Sequence, residues 1–241
     1  TWAMITGNPD SENPEWSGPL RICDGILMNK PTILSTGEWL LPVARWGQDN
    51  SAGVYSSSDT GASFQILGAA NITDPKEREF DEHMIIERKD GTLWMLVRTR
   101  YGIGESVSSD RGHTWAPVSP SAIMHPHARF FMRRLASGSI LLIKHGLITE
   151  KTGRSHLTAF ISKDDGRTWA GGLLIDEREK VSYPDGTQTS DGTIYVIYDY
   201  DRKGAKEILM TRFKEEDVCR SNPAVNGASL RLLVNKAKGM N

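Results

Sequence analysis

A four-position pattern, Ser-x-Asp-x-Gly-x-x-aromatic, occurs three times in these 241 residues: Ser57-Asp59-Gly61-Phe64, Ser108-Asp110-Gly112-Trp115 and Ser162-Asp164-Gly166-Trp169. Recurrence at about 50 residues means a stack of similar supersecondary units, since no single unit of that size buries its apolar face alone. A second series runs between the first. Thr36-Gly37, Asp90-Gly91, Ser137-Gly138 and Asp191-Gly192 each precede a short run rich in apolar, β-branched or aromatic residues. These runs read as strands entered through tight glycine turns. The second unit then reads as strands over about 83–89, 92–98, 104–108 and 115–118. A repeated unit of four antiparallel strands is a propeller blade, so the chain is expected to be all-β, a β-propeller with about four visible blades. No long run has helical periodicity; residues 74–81 are polar enough for one helical turn. Residues 1–24 suffice for an outer strand and a connector.

Composition removes several classes. With 29 Lys+Arg against 30 Asp+Glu, the net charge of −1 leaves no basic excess for neutralising nucleic-acid phosphates or docking on an anionic membrane. No apolar run approaches the ~20 residues that a helical membrane span requires. Cys23 and Cys219 are the two cysteines, expected as free thiols, with a bridge between them as the alternative. Metal-ligand spacings are absent, and His125-Pro126-His127 reads as loop. No nucleophile elbow, phosphate loop or dinucleotide fingerprint occurs, so neither a metal nor an organic cofactor is expected.

The repeated turn resembles the Asp box (bacterial neuraminidase repeat) of the sialidase superfamily, whose catalytic domain is a six-bladed propeller. The boxes are structural: serine and aspartate bond the hairpin backbone, and Trp115 and Trp169 are expected to be largely buried between strands. The resemblance implies one sialidase-like propeller domain over residues 1–241, lacking its N-terminal blades, and a periplasmic or secreted location. It also selects four residues. In the family a glutamate on an inner strand precedes an arginine by 15 to 19 residues, and a later arginine precedes the catalytic tyrosine by about 30. Here Glu82 and Arg98, then Arg154 and Tyr183, reproduce that order and spacing. Glu82 is expected to begin an inner strand, Arg98 to end the next, and Arg154 to open the third strand of the following blade. Tyr183 falls on the inner strand of the last.

These residue types suit one reaction. A sialic acid carries a carboxylate on its anomeric carbon, which a carboxylate nucleophile would meet with like charge. Tyrosine avoids that repulsion provided a neighbouring glutamate takes its proton, since a phenol ordinarily ionises near pH ~10. Arginine pairs with a carboxylate through a planar fork that lysine lacks. The resemblance therefore implies a retaining exo-glycosidase of sialidase type acting on sialylated or other acidic glycans, with Tyr183 as nucleophile, Glu82 as its base, and Arg98 and Arg154 gripping the sugar carboxylate. A non-catalytic glycan- or protein-binding propeller is the alternative. The acid/base aspartate and first arginine are placed in blades outside the chain, and Pro184 stands where sialidases commonly carry serine. Secondary candidates are Arg45, Arg129 and His145 at strand ends, and Asn29-Lys30-Pro31 as contacts to substrate hydroxyls. Arg133-Arg134 reads as a solvated edge, Asp24 and Asp185 as turn residues, and Tyr198, Asp199 and Tyr200 as alternating strand faces.

Overall fold

The computed structural model describes residues 1–46, 51–220 and 228–237. The chain divides into two compact units, residues 1–97 with 106–118, and 98–105 with 119–241. In the first unit, β1 (Trp2–Ala3) and β2 (Leu20–Arg21) form a short antiparallel ribbon. The first blade follows. Its inner edge is split into β3 (Ile26–Leu27) and β4 (Thr32–Ile33), both paired with β5 (Trp39–Ala44). Pro31 lies between the two pieces and has no N–H to donate to a ladder. β6 (Ser51–Ser57) and β7 (Gln65–Asn71) complete the sheet. A single 3-10 turn at Pro75–Glu77, begun by the Asp74 carboxylate accepting from the Lys76 N–H, leads into β8 (Arg78–Glu87). β8 packs against β5, and Leu40, Val54, Ile85, Met95 and Val97 share one buried cluster.

The second blade has the order β11–β10–β9–β8, with β9 at Leu93–Thr99, β10 at Ile103–Ser108 and β11 at Ser119–Pro120. The fourth strand expected at 115–118 is therefore displaced and shortened. The Ala116 N–H bonds back to Val107 O at 3.0 Å and the Val118 N–H goes to Asn71 O at 2.8 Å. Pro117 and Pro120 remove two further donors, so little ladder remains to form.

Two complete blades make up most of the second unit. One is β12 (Phe131–Arg134), β13 (Ile140–His145), β14 (Leu157–Ser162) and β15 (Ala170–Asp176), paired in that order. β13 and β14 are buried along their whole length, Lys144, His145, Thr158 and Ser162 included. The other is β16 (Val181–Gln188), β17 (Ile194–Tyr200), β18 (Glu207–Phe213) and β19 (Ser229–Lys236). The five-residue helix α1 (Glu215–Cys219) precedes β19 and packs on β14 and β15. Among the described residues no helix is long and apolar enough to cross a membrane.

The three Ser-x-Asp-x-Gly turns are built alike. In each, the serine hydroxyl donates to the aspartate (2.7–2.8 Å) and accepts from the glycine N–H (2.8 Å). The same aspartate accepts from the backbone N–H of Ser63, Thr114 or Thr168 four residues on (2.8–2.9 Å). This bonding holds the carboxyls of Asp110 and Asp164 down at about 2 and that of Asp59 lower still, the hydrogen bonds outweighing any burial. The residue between aspartate and glycine is left-handed each time: Thr60 at φ 57°, Arg111 at 61°, Asp165 at 59°. The closing aromatics Phe64, Trp115 and Trp169 are half-buried rather than fully enclosed. Trp115 lies against the first unit's core with its indole N–H on Gly112 O at 2.9 Å.

Two glycines mark where a strand meets a neighbouring turn backbone to backbone. A Cβ on Gly68 of β7 would lie 2.3 Å from Gly112 O, in the turn of the following blade. A Cβ on Gly171 of β15 would lie 2.2 Å from Val218 O. In the last blade α1 thus stands where the repeated turn stands earlier.

Candidate functional site

The site grows from a defect in β16. Its register with β17 pairs Val181 with Tyr200 and Ser182 with Asp199, then resumes at Asp185 opposite Ile197. Tyr183 and Pro184 thus face Tyr198 alone, a two-against-one bulge. Proline cannot donate to the ladder and helps to break it here. Tyr183 sits at φ 54°, a left-handed conformation that costs a non-glycine residue about 1–3 kcal/mol and turns its side chain out of the regular pleat.

Four guanidiniums surround this tyrosine. Arg98, buried near the end of β9, donates through Nη1 to the Tyr183 hydroxyl at 3.4 Å. Its Nη2 is 3.3 Å from His127 Nε2, which accepts when the imidazole is neutral with its proton on Nδ1. Arg154 reaches Ser182 Oγ at 3.3 Å and His127 O at 3.5 Å. The carbons Cζ of Arg202 and Arg129 lie 4.3 and 5.9 Å from the Tyr183 ring centroid. Arg202 is held in turn by Asp199, Nε to Oδ2 at 2.9 Å. Burial and the neighbouring charges of Arg98 and Arg202 pull Arg154 below the usual guanidinium range, the signature of crowded cations. Burial raises the Asp199 carboxyl, against the pull of Arg202 and Arg154. A cleft of about 490 Å³ opens beside them, lined by Arg154, Ser182 and Arg202, by Lys180 and Lys203, and by the carboxylates Glu179 and Asp201. A half-buried phenol with guanidiniums on several sides is an anion-receptive setting that holds one potential nucleophile.

Of the four residues that the sequence singled out, Arg98, Arg154 and Tyr183 meet in the second unit. Glu82 belongs to the first, within β8 rather than at its start. It follows Asp81 into the left-handed region, φ 40° after 58°. Asn29, expected to touch substrate hydroxyls, is buried and spends its amide N–H groups on Glu82 O (2.8 Å) and His83 O (2.9 Å). It braces the kink instead. Arg78 pairs with the Asp81 carboxylate at 2.7 Å, and burial raises that carboxyl to about 6.

The structure revises other sequence expectations. Arg154 lies in the loop before β14, which begins at Leu157. His145 lines no opening: it is buried, stacked on His125 at 5.4 Å, with Nδ1 3.1 Å from Ser155 O. Arg134 is no solvated edge, since it binds Gly138 O at 2.6 Å and Asp165 at 2.8 Å. Asp185 stands inside β16, not in a turn, while Asp24 pairs with Arg21. Arg45 lines a separate cleft with Asp24, Ile26 and Trp46. Tyr198 donates to Asp176 at 3.0 Å, and Tyr200 lies under Arg178 at 3.9 Å. Cys23 is buried, Cys219 exposed, and both are free. Among the described residues no group of three or more His, Cys, Asp or Glu could hold a metal. Arg202 was not legible in the sequence. The Asp199-x-x-Arg202 spacing is its one local trace, and only the bulged register brings it over Tyr183.

Comparison with known proteins bears on this geometry. A search of curated proteins found no match. Solved structures match in fold. A Hadza microbial sialidase gives a TM-score of 0.63 at 20% identity, covering 90% of this chain and 44% of its own. An alpha-L-arabinanase of Penicillium chrysogenum gives 0.56 at 15%, covering 78% and 63%. A Trypanosoma rangeli sialidase in complex with sialic acid gives 0.51 at 16%, covering 86% and 35%. The chain thus spans less than two thirds of each of these proteins, and the likeness shows the fold, a β-propeller of the sialidase type. The model of the BNR repeat-like domain matches residues 9–196, a span holding all three serine–aspartate–glycine turns and the bulged tyrosine; the chain belongs to the BNR repeat-like domain family.

Proposed function

We propose that the protein of which this chain is part is a retaining glycoside hydrolase for a terminal acidic sugar, a sialic acid first. In this reading the Tyr183 oxygen attacks the anomeric carbon as Glu82 takes the phenolic proton, and the glycosidic bond breaks so that the aglycone leaves through its oxygen, picking up a proton from solvent or a general acid. Arg98 and Arg154 pair with the sugar carboxylate. Water then attacks the same carbon, the bond to Tyr183 breaks and the phenol regains its proton from Glu82, so that two displacements retain the configuration. The observation that carries the reading is Arg98 Nη1 at 3.4 Å from the Tyr183 hydroxyl, with Arg129 and Arg202 over the same ring and Arg154 on the adjoining Ser182. A phenol among cations is a nucleophile suited to an anionic substrate. A neutral sugar such as arabinose offers those guanidiniums hydroxyl oxygens but no charge to pair with, which favours an acidic sugar over arabinose. Sialidases with the same fold support the sialic acid over other acids.

The test is hydrolysis by the full-length protein of a fluorogenic aryl sialoside beside the matching aryl glucuronide. Turnover of the sialoside, lost in Tyr183→Phe and in Glu82→Gln, supports the reading. Turnover of the glucuronide alone moves it to uronic acids. Binding of the free acids without turnover of either leaves a non-catalytic glycan-binding propeller.

A further inference from the structure

Arg202 lies over the Tyr183 ring while its own charge is paired. Its Cζ is 4.3 Å from the centroid, within the range of a cation–π contact, and its Nε is fixed 2.9 Å from Asp199 Oδ2. Asp199 is itself pinned, because β17 sets it directly opposite Ser182, the residue before the tyrosine. Asp199 is buried, whereas Arg202 is about half exposed. A chain of contacts therefore runs from the last regular pair of the ladder, through a carboxylate and a guanidinium, onto the ring that the bulge has turned out. Removing Tyr183 from the pleat takes away the cross-strand neighbours that would hold it, and Arg202 replaces them from above.

We propose that Arg202, anchored by Asp199, is a positioning residue for Tyr183: it stacks on the phenol ring and fixes the direction in which the hydroxyl points. The inference rests on the reading of Tyr183 as the attacking group, and gives its site a part outside the carboxylate clamp. Arg98 and Arg154 are assigned to the ligand carboxylate; Arg202 sets its guanidinium carbon over the ring. A misdirected nucleophile slows the bond-forming step without weakening ground-state binding, so the loss belongs in kcat.

The experiment uses the full-length protein with ¹³C-labelled tyrosine rings and the aryl sialoside as probe. Arg202→Met keeps the length and apolar bulk of the side chain but removes charge and plane; Arg202→Lys keeps the charge. The Tyr183 ring signal is identified by its loss in Tyr183→Phe. In Arg202→Met it should shift and sharpen as the ring is freed, the other tyrosines keeping theirs. Turnover should fall about 10- to 100-fold with KM within about twofold, and Arg202→Lys should recover part of kcat. In the Tyr183→Phe background the Arg202→Met change should cost nothing further. A raised KM at unchanged kcat would make Arg202 a substrate contact and overturn the proposal, as would an unmoved Tyr183 signal. If Tyr183→Phe keeps full turnover while the ring signal still responds to Arg202→Met, the nucleophile reading fails and the stacking stands.

Discussion

Thr60 occupies the left-handed position of the first serine–aspartate–glycine turn, where a β-branched side chain is poorly tolerated. The third turn places Asp165 there, a residue that visits this region readily. Thr60→Asn should therefore stabilise the protein by about 1 kcal/mol. In thermal unfolding that is a rise of about 2–4 °C for a chain of this size, and a fall would show that the Thr60 hydroxyl bond to Asp59 O outweighs the backbone strain. At the site, Arg98→Lys keeps one positive charge but cannot serve the Tyr183 hydroxyl, His127 and a ligand carboxylate from one rigid plane. In the full-length protein kcat/KM should drop about 100-fold, a loss of ~3 kcal/mol in transition-state stabilisation. Near-normal kinetics would remove Arg98 from the carboxylate clamp.

Among the elements, β16 shows what a one-dimensional pattern conceals. The strands, their glycine turns and the three serine–aspartate–glycine repeats were legible because each is fixed by residues within about eight positions of one another. Tyr183 and Arg98 were legible through family spacing, and Arg129 only as a candidate at a strand end. The bulge was not, since Tyr183-Pro184-Asp185 reads equally well as a turn and only pairing with β17 decides between them. The same holds for Asn29, whose partners in β8 lie more than 50 residues away. His145 was misjudged because a strand's end is often exposed, whereas β13 is buried to its last residue. At the joint between β7 and the next turn, Gly68→Ala should cost about 1–3 kcal/mol, because the obstructing atoms are backbone and cannot swing aside. An unchanged denaturant midpoint would mean that the two strands separate freely.

For the whole molecule, acid sensitivity follows from buried histidines. Burial holds His83 and His145 at about 4 and His125 well below its ordinary 6.5. Between pH 6.5 and 4 the unfolded chain takes up protons there that the folded chain refuses, so stability falls as pH falls. Asp81, raised to about 6, and Asp199, raised by burial, work in the opposite sense, because above the unfolded value of 3.8 the folded state holds protons that the unfolded chain has lost. Three histidines against two carboxyls leave a net loss, and urea unfolding at pH 7.5, 5.5 and 4.5 should show steadily lower midpoints. A flat series would mean that these rings reach water. Below pH 3.8 the low carboxyls of Asp59, Asp110 and Asp164 add their own loss as they protonate. The glycine joints have a different consequence, for inheritance. A seam made of a bare strand against a carbonyl asks nothing of the side chains on the facing loop. One repeat can then exchange its whole turn for a short helix, as the last one has, provided that some carbonyl still arrives opposite the glycine. Copies of such a unit are free to diverge until few letters are shared, while the glycine on the outer strand stays the hardest position to replace.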